Sequence, residues 1–454
     1  MRLRRPTTEV PLALVLVLAV SLLATGAGHS VPVVPSAATP AERVASSDEV
    51  AGEEVAGVEE AITTDAQRRQ LVRDALAETP LIDGHNDLPW NIRKFVHNRL
   101  RDLNLAEDLR DVEPWSRSPW SHTDLMRMRA GLVGGQFWAA YVPCESQQLN
   151  AVQLTLEQID LIRRFIDKYP GQLAFAASAD EIVSAHAGRR IASLIGVEGG
   201  HSIGSSLAVL RVLYTLGVRY MTLTHACHTP WADSSSDHND DKFPHHGGLT
   251  SFGKVVVREM NRLGMMVDLS HASVRTMKDA LETSKAPVIF SHSSAYSICN
   301  SSRNVPDDVL RQLAVNGGLV MVTFYSYFVK CGPRASVSDV ADHIHYIRSL
   351  IGVDHIGIGG DFDGINRTPR GLEDVSMYPE LFTELLRRGD WTPDDLKKVA
   401  GLNLLRVFRA VEKVRDEMRA AGVVAGDDMV PGPGVVATSP CTFDISRAER
   451  QMEL

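Results

Sequence analysis

Eight short apolar runs, separated by segments of helical periodicity, constrain this chain more than any other feature of its sequence. They are LIDGHN from Leu81, GLVGGQFWAAYVP (131–143), IASLIGVEGG (191–200), YMTLTH to His225, MMVDLSH to His271, PVIFSH to His292, GGLVMVTFY from Gly317, and HIGIGGDFDG to Gly364. Unbroken apolar runs of this length read as strands buried on both faces, the habit of parallel sheets. Between them the apolar residues recur at helical spacing over 155–169, 179–189, 205–216, 250–263, 272–282, 306–315 and 336–351. Repeated strand–helix alternation is what a TIM-like (β/α)8 barrel requires. A chain of 454 residues that is 44% hydrophobic can fill such a core. A helix over 65–78 leads into the first strand, and further helices from about Pro379 to Ala421 are expected outside the barrel.

What stands at the strand ends gives this alternation a chemical meaning. In LIDGHNDLPW, residues 81–90, the strand runs into Asp83, His85 and Asp87 before Pro89 stops it, and alternation sets His85 and Asp87 on one face. A lone His-x-Asp is more often a hydrogen-bonded pair than a metal site. Other strands supply partners, however. The third ends in Glu198, the fourth in His225, the fifth in His271, the sixth in His292, and the eighth in Asp361 and Asp363. A barrel collects all its strand ends on one face, so these side chains converge without any local motif. A carboxylate at the end of a doubly buried strand is costly unless paired or metal-bound. Imidazoles mixed with carboxylates suit zinc or a similar divalent ion, and there are too many ligands for one tetrahedral centre. Two ions sharing a carboxylate fit better, and such a pair would activate water and stabilise a tetrahedral oxyanion.

The motifs HNDLPW, GVEGGHS, LTH-x-C-x-TPWAD, DLSH, FSHSSAYS, RNVPDD and GGDFDG, in this order between about Pro80 and Phe408, closely resemble the membrane (renal) dipeptidase family of zinc peptidases. The resemblance implies that His85 and Asp87 hold one zinc, that Glu198 bridges both, and that His271 and His292 hold the second. It implies that His225 contacts the substrate carbonyl and the developing oxyanion. Arg303 would bind the free carboxylate of a dipeptide, and Asp361 would pass a proton to the leaving amine after attack by a zinc-bridging hydroxide. Cysteinyl-glycine conjugates such as leukotriene D4 and cystinyl-bis-glycine are among the expected substrates. The resemblance pairs Cys144 with Cys227 and Cys299 with Cys331, and makes Cys441 the dimer-linking cysteine of a homodimer. Asp83 and Asp363 are expected either to support the ligands or to be structural, and His228, three residues after His225, either lends a hydrogen bond or faces solvent. Rival readings are another amidohydrolase-type barrel acting on a cyclic amide or ester, and a barrel of this family kept for binding.

The ends of the chain speak to location. Arg2, Arg4 and Arg5 precede an apolar stretch from about Val10 to Ala24 and the small residues Thr25-Gly26-Ala27, the pattern of a secretory signal cleaved near Ala27. That stretch falls short of the ~20 residues that span a bilayer. Residues 28–64 carry seven acids against Arg43 alone and read as a flexible leader. The net charge of -9 becomes more negative once the basic start is removed, which argues against nucleic-acid binding. Mammalian family members typically carry a hydrophobic tail that directs a lipid anchor, whereas this chain ends ISRAERQMEL, so the expectation is either a secreted or soluble protein or a variant form truncated before the anchoring signal, in the secretory pathway or at the extracellular face of the plasma membrane. Asn300 and Asn366 begin glycosylation sequons. The stretch 233–248, with His238, His245 and His246, reads as a solvated insertion or a metal-catching loop.

None of the five cysteines is spaced C-x-x-C, and in an exported chain they suggest disulfides with one left over. Cys441 follows the Pro/Gly-rich MVPGPGVVATSP in the loose segment 426–454 and is the best candidate for an interchain bridge. A non-reducing gel of the full chain should therefore show a species of twice the monomer mass. Reduction or Cys441→Ser should abolish it, and a monomer band alone would refute the bridge.

Overall fold

A computed structural model describes residues 64–236 and 245–427. The signal-like start, the acidic leader, His238 and Cys441 lie outside the described residues. Nine strands are present: β1 (Leu81–Asn86), β2 (Val133–Tyr141), β3 (Leu173–Phe175), β4 (Ile191–Glu198), β5 (Val218–Thr222), β6 (Met266–Asp268), β7 (Ile289–Ser293), β8 (Leu319–Val322) and β9 (Ile356–Ile358). All pair in parallel, in the order β2-β1-β9-β8-β7-β6-β5-β4-β3. A further ladder from Gly135–Ala192 to Tyr141–Glu198 joins β2 to β4 and closes an eight-stranded (β/α)8 barrel. The eight runs read from the sequence are its eight staves. β3 is additional: it pairs with residues 191–193 of β4, on the edge where residues 195–197 pair with β5. Three residues show no periodicity, so the sequence carries no signal for it.

Several runs leave the ladder earlier than the sequence suggests. β5 stops at Thr222, β6 at Asp268 and β9 at Ile358, so His225, His271 and Asp361 stand in the loops that follow rather than at the last rung. His271, Asp361 and Asp363 have φ of 65°, 62° and 65°, in the left-handed region that a continuing strand cannot use. Glu198, by contrast, is the last residue of β4, and His85 and His292 lie inside β1 and β7.

The helices follow from their caps and stripes. Thr64 opens 65–78 with a capping box, accepting from the Gln67 amide at 3.2 Å while Gln67 Oε1 accepts from the Thr64 amide at 3.0 Å. In Ala151–Lys168 the buried Ile159, Ile162 and Ile166 recur at the spacing of one helical face. A helix absent from the sequence reading, Leu88–Val96, follows β1 directly. Pro89, which ends the strand, sits in its first turn, where a missing N–H costs nothing. The C-terminal stretch divides into Tyr378–Arg387, Pro393–Lys397, a π-turn at Lys398–Leu402, and Asn403–Ala420. At that turn Gly401 packs so closely that a Cβ would lie 2.2 Å from the Pro80 carbonyl. Asn403 then donates to the carbonyls of Val353 and Ile356 at 2.8 and 2.9 Å, fastening the last helix to the start of β9.

Two features inside the barrel position its mouth. Asp83 is fully buried and accepts from the Gly360 amide at 2.7 Å and from Gln136 Nε2 at 2.8 Å, tying β1 to its neighbours on both sides. This is the supporting role expected of it. Gly196 in β4 stands in register with Tyr220 in β5, and a Cβ there would lie 2.0 Å from the Tyr220 ring. The missing side chain is what lets the ring lie across the interior. Gly196→Ala should therefore lower unfolding free energy by about 1–3 kcal/mol in chemical denaturation, the usual range for overpacking. Unchanged stability would show that the ring can move aside at little cost.

Candidate metal centre

The described residues supply an arrangement that is costly without a cation. Glu198 Oε1 lies 3.0 Å from His271 Nε2, 3.4 Å from His292 Nε2, 3.5 Å from His85 Nε2 and 3.8 Å from His225 Nε2. Asp87 Oδ2 is 3.2 Å from His85 Nε2, and the Nε2 atoms of His271 and His292 are only 2.9 Å apart. Ligand atoms of His85, Asp87 and Asp361 also fall within 4.8 Å of one another. Every one of these groups but His225 is buried, and His225 is half-buried. Among the described residues, His85 Nε2 and Asp87 Oδ1 are buried with no hydrogen-bond partner. Orphaned nitrogen and carboxylate lone pairs around one oxygen are what a divalent cation satisfies, and the donor set of imidazole and carboxylate suits zinc. The residues present thus fit a metal.

The electrostatics follow from the same crowding. Burial pushes the Glu198 carboxyl up, but the His85, His225, His271 and His292 rings around it outweigh this and hold the group well below the ordinary value. Burial drives His271 and His292 well below the ordinary imidazole value, and Arg303 is among the charges that reinforce this in each. Both rings are therefore neutral, the state in which imidazole binds a metal. Asp361 moves the other way. Burial raises its carboxyl well above the usual range, and the neighbouring Asp87 and Glu198 outweigh part of the opposing pull of His85 and Arg303.

Around the cluster lies an open pocket of about 450 Å³, with His225, Arg303 and Asp361 in its lining. Arg303 is buried, and among the described residues its guanidinium makes only long hydrogen bonds, to Ser293 Oγ at 3.4 Å and to the His292 carbonyl at 3.3 Å. Its guanidinium lies 5.2 Å from the centre of the Phe328 ring and pairs with no carboxylate among the described residues. Trp90, Trp120, Tyr141, Tyr325 and Phe328 give the pocket an aromatic wall. Tyr325 caps, and Phe328 lies in, the short helix Ser326–Val329 that follows β8. Of the 233–248 insertion, Ser236 reaches the lining. Most of its described part is structural: Asp233 accepts from the amides of His246 and Gly248, both at 2.9 Å, and His246 Nε2 donates to the Thr229 carbonyl at 3.1 Å. His228 is buried and its Nδ1 accepts from the Ser234 amide at 3.0 Å, so it lends a hydrogen bond rather than facing solvent.

Asp363 supports the site from the pocket floor, accepting from the His122 amide at 3.0 Å and from Asn91 Nδ2 at 3.1 Å, and burial raises its carboxyl to about 6. Disulfides join Cys144 to Cys227 and Cys299 to Cys331. The first lies against the cluster, with Cys144 Sγ 3.8 Å from His225 Nδ1. Sequence reasoning missed a second layer. Tyr220 OH is 2.9 Å from His85 Nδ1, and Ser291 Oγ is 2.8 Å from His292 Nδ1 and 2.6 Å from Asp268 Oδ2. Asp268 could have been found by the argument used for Glu198, since it too is a carboxylate in a buried strand. Tyr220 carries no such signal, because its partner is 135 residues away.

A parallel eight-stranded barrel with imidazoles and carboxylates gathered at the C-terminal ends of its strands is a metal-dependent hydrolase barrel. The comparisons narrow the class. The family model for membrane dipeptidase, peptidase family M19, matches residues 69–422. Dipeptidase 3 of Rattus norvegicus is 52% identical over 359 residues, covering 78% of this chain and 70% of the relative. Dipeptidase 3 of Homo sapiens is 52% identical over 350 residues, covering 77% and 68%. The solved structure of a dipeptidase AC, a metallopeptidase of family M19, superposes with a TM-score of 0.65 at 26% identity, covering 73% of this chain and 98% of that one. The chain belongs to the membrane dipeptidase family, and is a metallodipeptidase of the M19 type.

Proposed function

We propose that this chain hydrolyses the peptide bond of free dipeptides at two zinc ions, one held by His85 and Asp87, one by His271 and His292, with Glu198 shared. When bound, the ions supply Lewis acidity, making water nucleophilic at neutral pH and polarising the scissile carbonyl. The protein's own groups do the rest. The buried, unpaired guanidinium of Arg303 receives the terminal carboxylate, and this single observation carries the assignment to short peptides: a longer chain would present no carboxylate at that depth. Burial lowers the pKa of His225, so its ring is neutral and its Nε2–H can donate to the carbonyl oxygen as negative charge develops there. Asp361 is the carboxyl best able to hold a proton and release it to the departing amine.

The aromatic wall of Trp90, Trp120, Tyr325 and Phe328 favours a dipeptide with a bulky first residue, and cysteinyl-glycine conjugates such as leukotriene D4, with its long apolar chain, and the bulkier but charged cystinyl-bis-glycine are the candidates. Export to the extracellular side is supported by the two disulfides and by the exposure of both sequon residues, Asn300 and Asn366.

Purified protein supplied with zinc should release both amino acids from a simple dipeptide, and chelation or Glu198→Gln should abolish this. Arg303→Ala should lower kcat/KM on dipeptides by about 10–100-fold, the equivalent of one hydrogen-bonded charge pair at ~1.5–3 kcal/mol. The same variant should affect a C-terminally amidated dipeptide far less. Hydrolysis that survives both chelation and Glu198→Gln would sink the assignment.

A further inference from the structure

We infer that Tyr220 and the Ser291–Asp268 pair are positioning residues that fix which ring nitrogen of His85 and of His292 carries the proton, leaving both Nε2 lone pairs for the metal. The inference rests on the metal reading above and concerns groups outside the ligand set.

Tyr220 OH has one proton, and its oxygen lies 2.9 Å from His85 Nδ1 and 3.0 Å from the Gly84 carbonyl. A carbonyl oxygen can only accept, so the hydroxyl proton goes to Gly84, and the contact with Nδ1 is a hydrogen bond only if Nδ1 brings its own. The Gly84 carbonyl is available because the β1–β2 register shifts between Asp83 and Asn86, and because β1 pairs with β9 only at Asp83. With the proton on Nδ1, His85 presents a bare Nε2 to Asp87 and Glu198, 3.2 and 3.5 Å away.

His292 reaches the same end by a different route. Ser291 Oγ lies 2.6 Å from Asp268 Oδ2, and the Asp268 carboxylate also takes Thr222 Oγ1 at 2.6 Å and the amides of Ser291 and Ser270 at 2.8 and 3.1 Å. Four donors on two oxygens leave no place for a proton on the carboxylate itself. The serine proton therefore points at Asp268, and Ser291 Oγ can only accept from His292 Nδ1 at 2.8 Å. The outcome is a histidine oriented by a carboxylate through one intervening hydroxyl, a variant of the outer-shell support that metal-bound histidines generally receive.

His271 marks the contrast. Its Nδ1 is buried with no partner. The protein thus sets the tautomer of two ligand rings and leaves the third unconstrained. A purely structural task for these hydroxyls would link strands, as Asp268 does between β5, β6 and β7, but it would not place an oxygen against a ring nitrogen in both cases.

Tyr220→Phe and Ser291→Ala each remove one oxygen and little volume. Zinc affinity of the full chain, measured by competition with a chelator, should weaken about 10–100-fold in each variant. The visible spectrum of the cobalt-substituted protein should change in both, while thermal unfolding of the metal-free protein stays close to the parent. Parental affinity and cobalt spectrum in both variants would overturn the inference, as would a loss confined to metal-free stability. A parent chain that takes up neither zinc nor cobalt would overturn the metal reading itself, and the inference with it.

Discussion

One carboxylate oxygen organises the mouth of this barrel. Glu198 Oε1 has four imidazole nitrogens within 3.8 Å of it, contributed by β1, β7 and the loops after β5 and β6. In a low-dielectric interior such a charge is strongly unfavourable unless it is surrounded in this way. Burial holds His225, His271 and His292 neutral, whereas Tyr220, Glu198 and Asp87 outweigh burial at His85 and raise it well above the ordinary imidazole value. Closure of the barrel between β2 and β4 is what brings Glu198 to this point, since it stands on the last rung of that ladder, opposite Tyr141.

The surrounding structure serves this cluster at some local cost. His271, Asp361 and Asp363 have left-handed backbones, a conformation non-glycine residues adopt reluctantly and that concentrates at functional sites. Their strands end early for the same reason: a chain that must turn its side chain into the barrel mouth cannot also keep its place in the ladder. The interior below compensates with hydrogen bonds to buried carboxylates. Asp83 knits β1 to β9 and β2, and Asp268 knits β5, β6 and β7. Asp268 is also linked through Ser291 Oγ to His292 Nδ1, so bonds that hold the staves together reach one imidazole of the cluster.

How much of this could be read in advance varies with the range of the interaction. Strand identity was legible because a doubly buried strand is an unbroken apolar run, and the candidate ligands were legible because polar residues at the ends of such runs are anomalous. β3 was not, being only three residues long, and neither was the helix at Leu88–Val96, where Pro89 signals both the end of one element and the start of another. Tyr220 looked like an ordinary aromatic strand residue. Its role depends on Gly196 leaving room for the ring and on a break in a ladder that no local pattern announces.

By itself, then, the order of apolar runs and helical segments determined that this chain is a (β/α)8 barrel, because burial periodicity is a local property of the chain and the barrel is the closed way to bury eight parallel strands. It also determined which side chains stand at the mouth, since topology sends every strand end to the same face. Only the tertiary structure decided how those groups meet: which imidazoles share the Glu198 oxygen, which hydroxyl faces which ring nitrogen, and that Arg303 lies buried with no carboxylate paired to it among the described residues. Those are distances of 3 to 4 Å between residues tens to hundreds apart in the chain. They depend on register, on backbone strain and on the space left by a missing side chain, which a linear pattern does not encode.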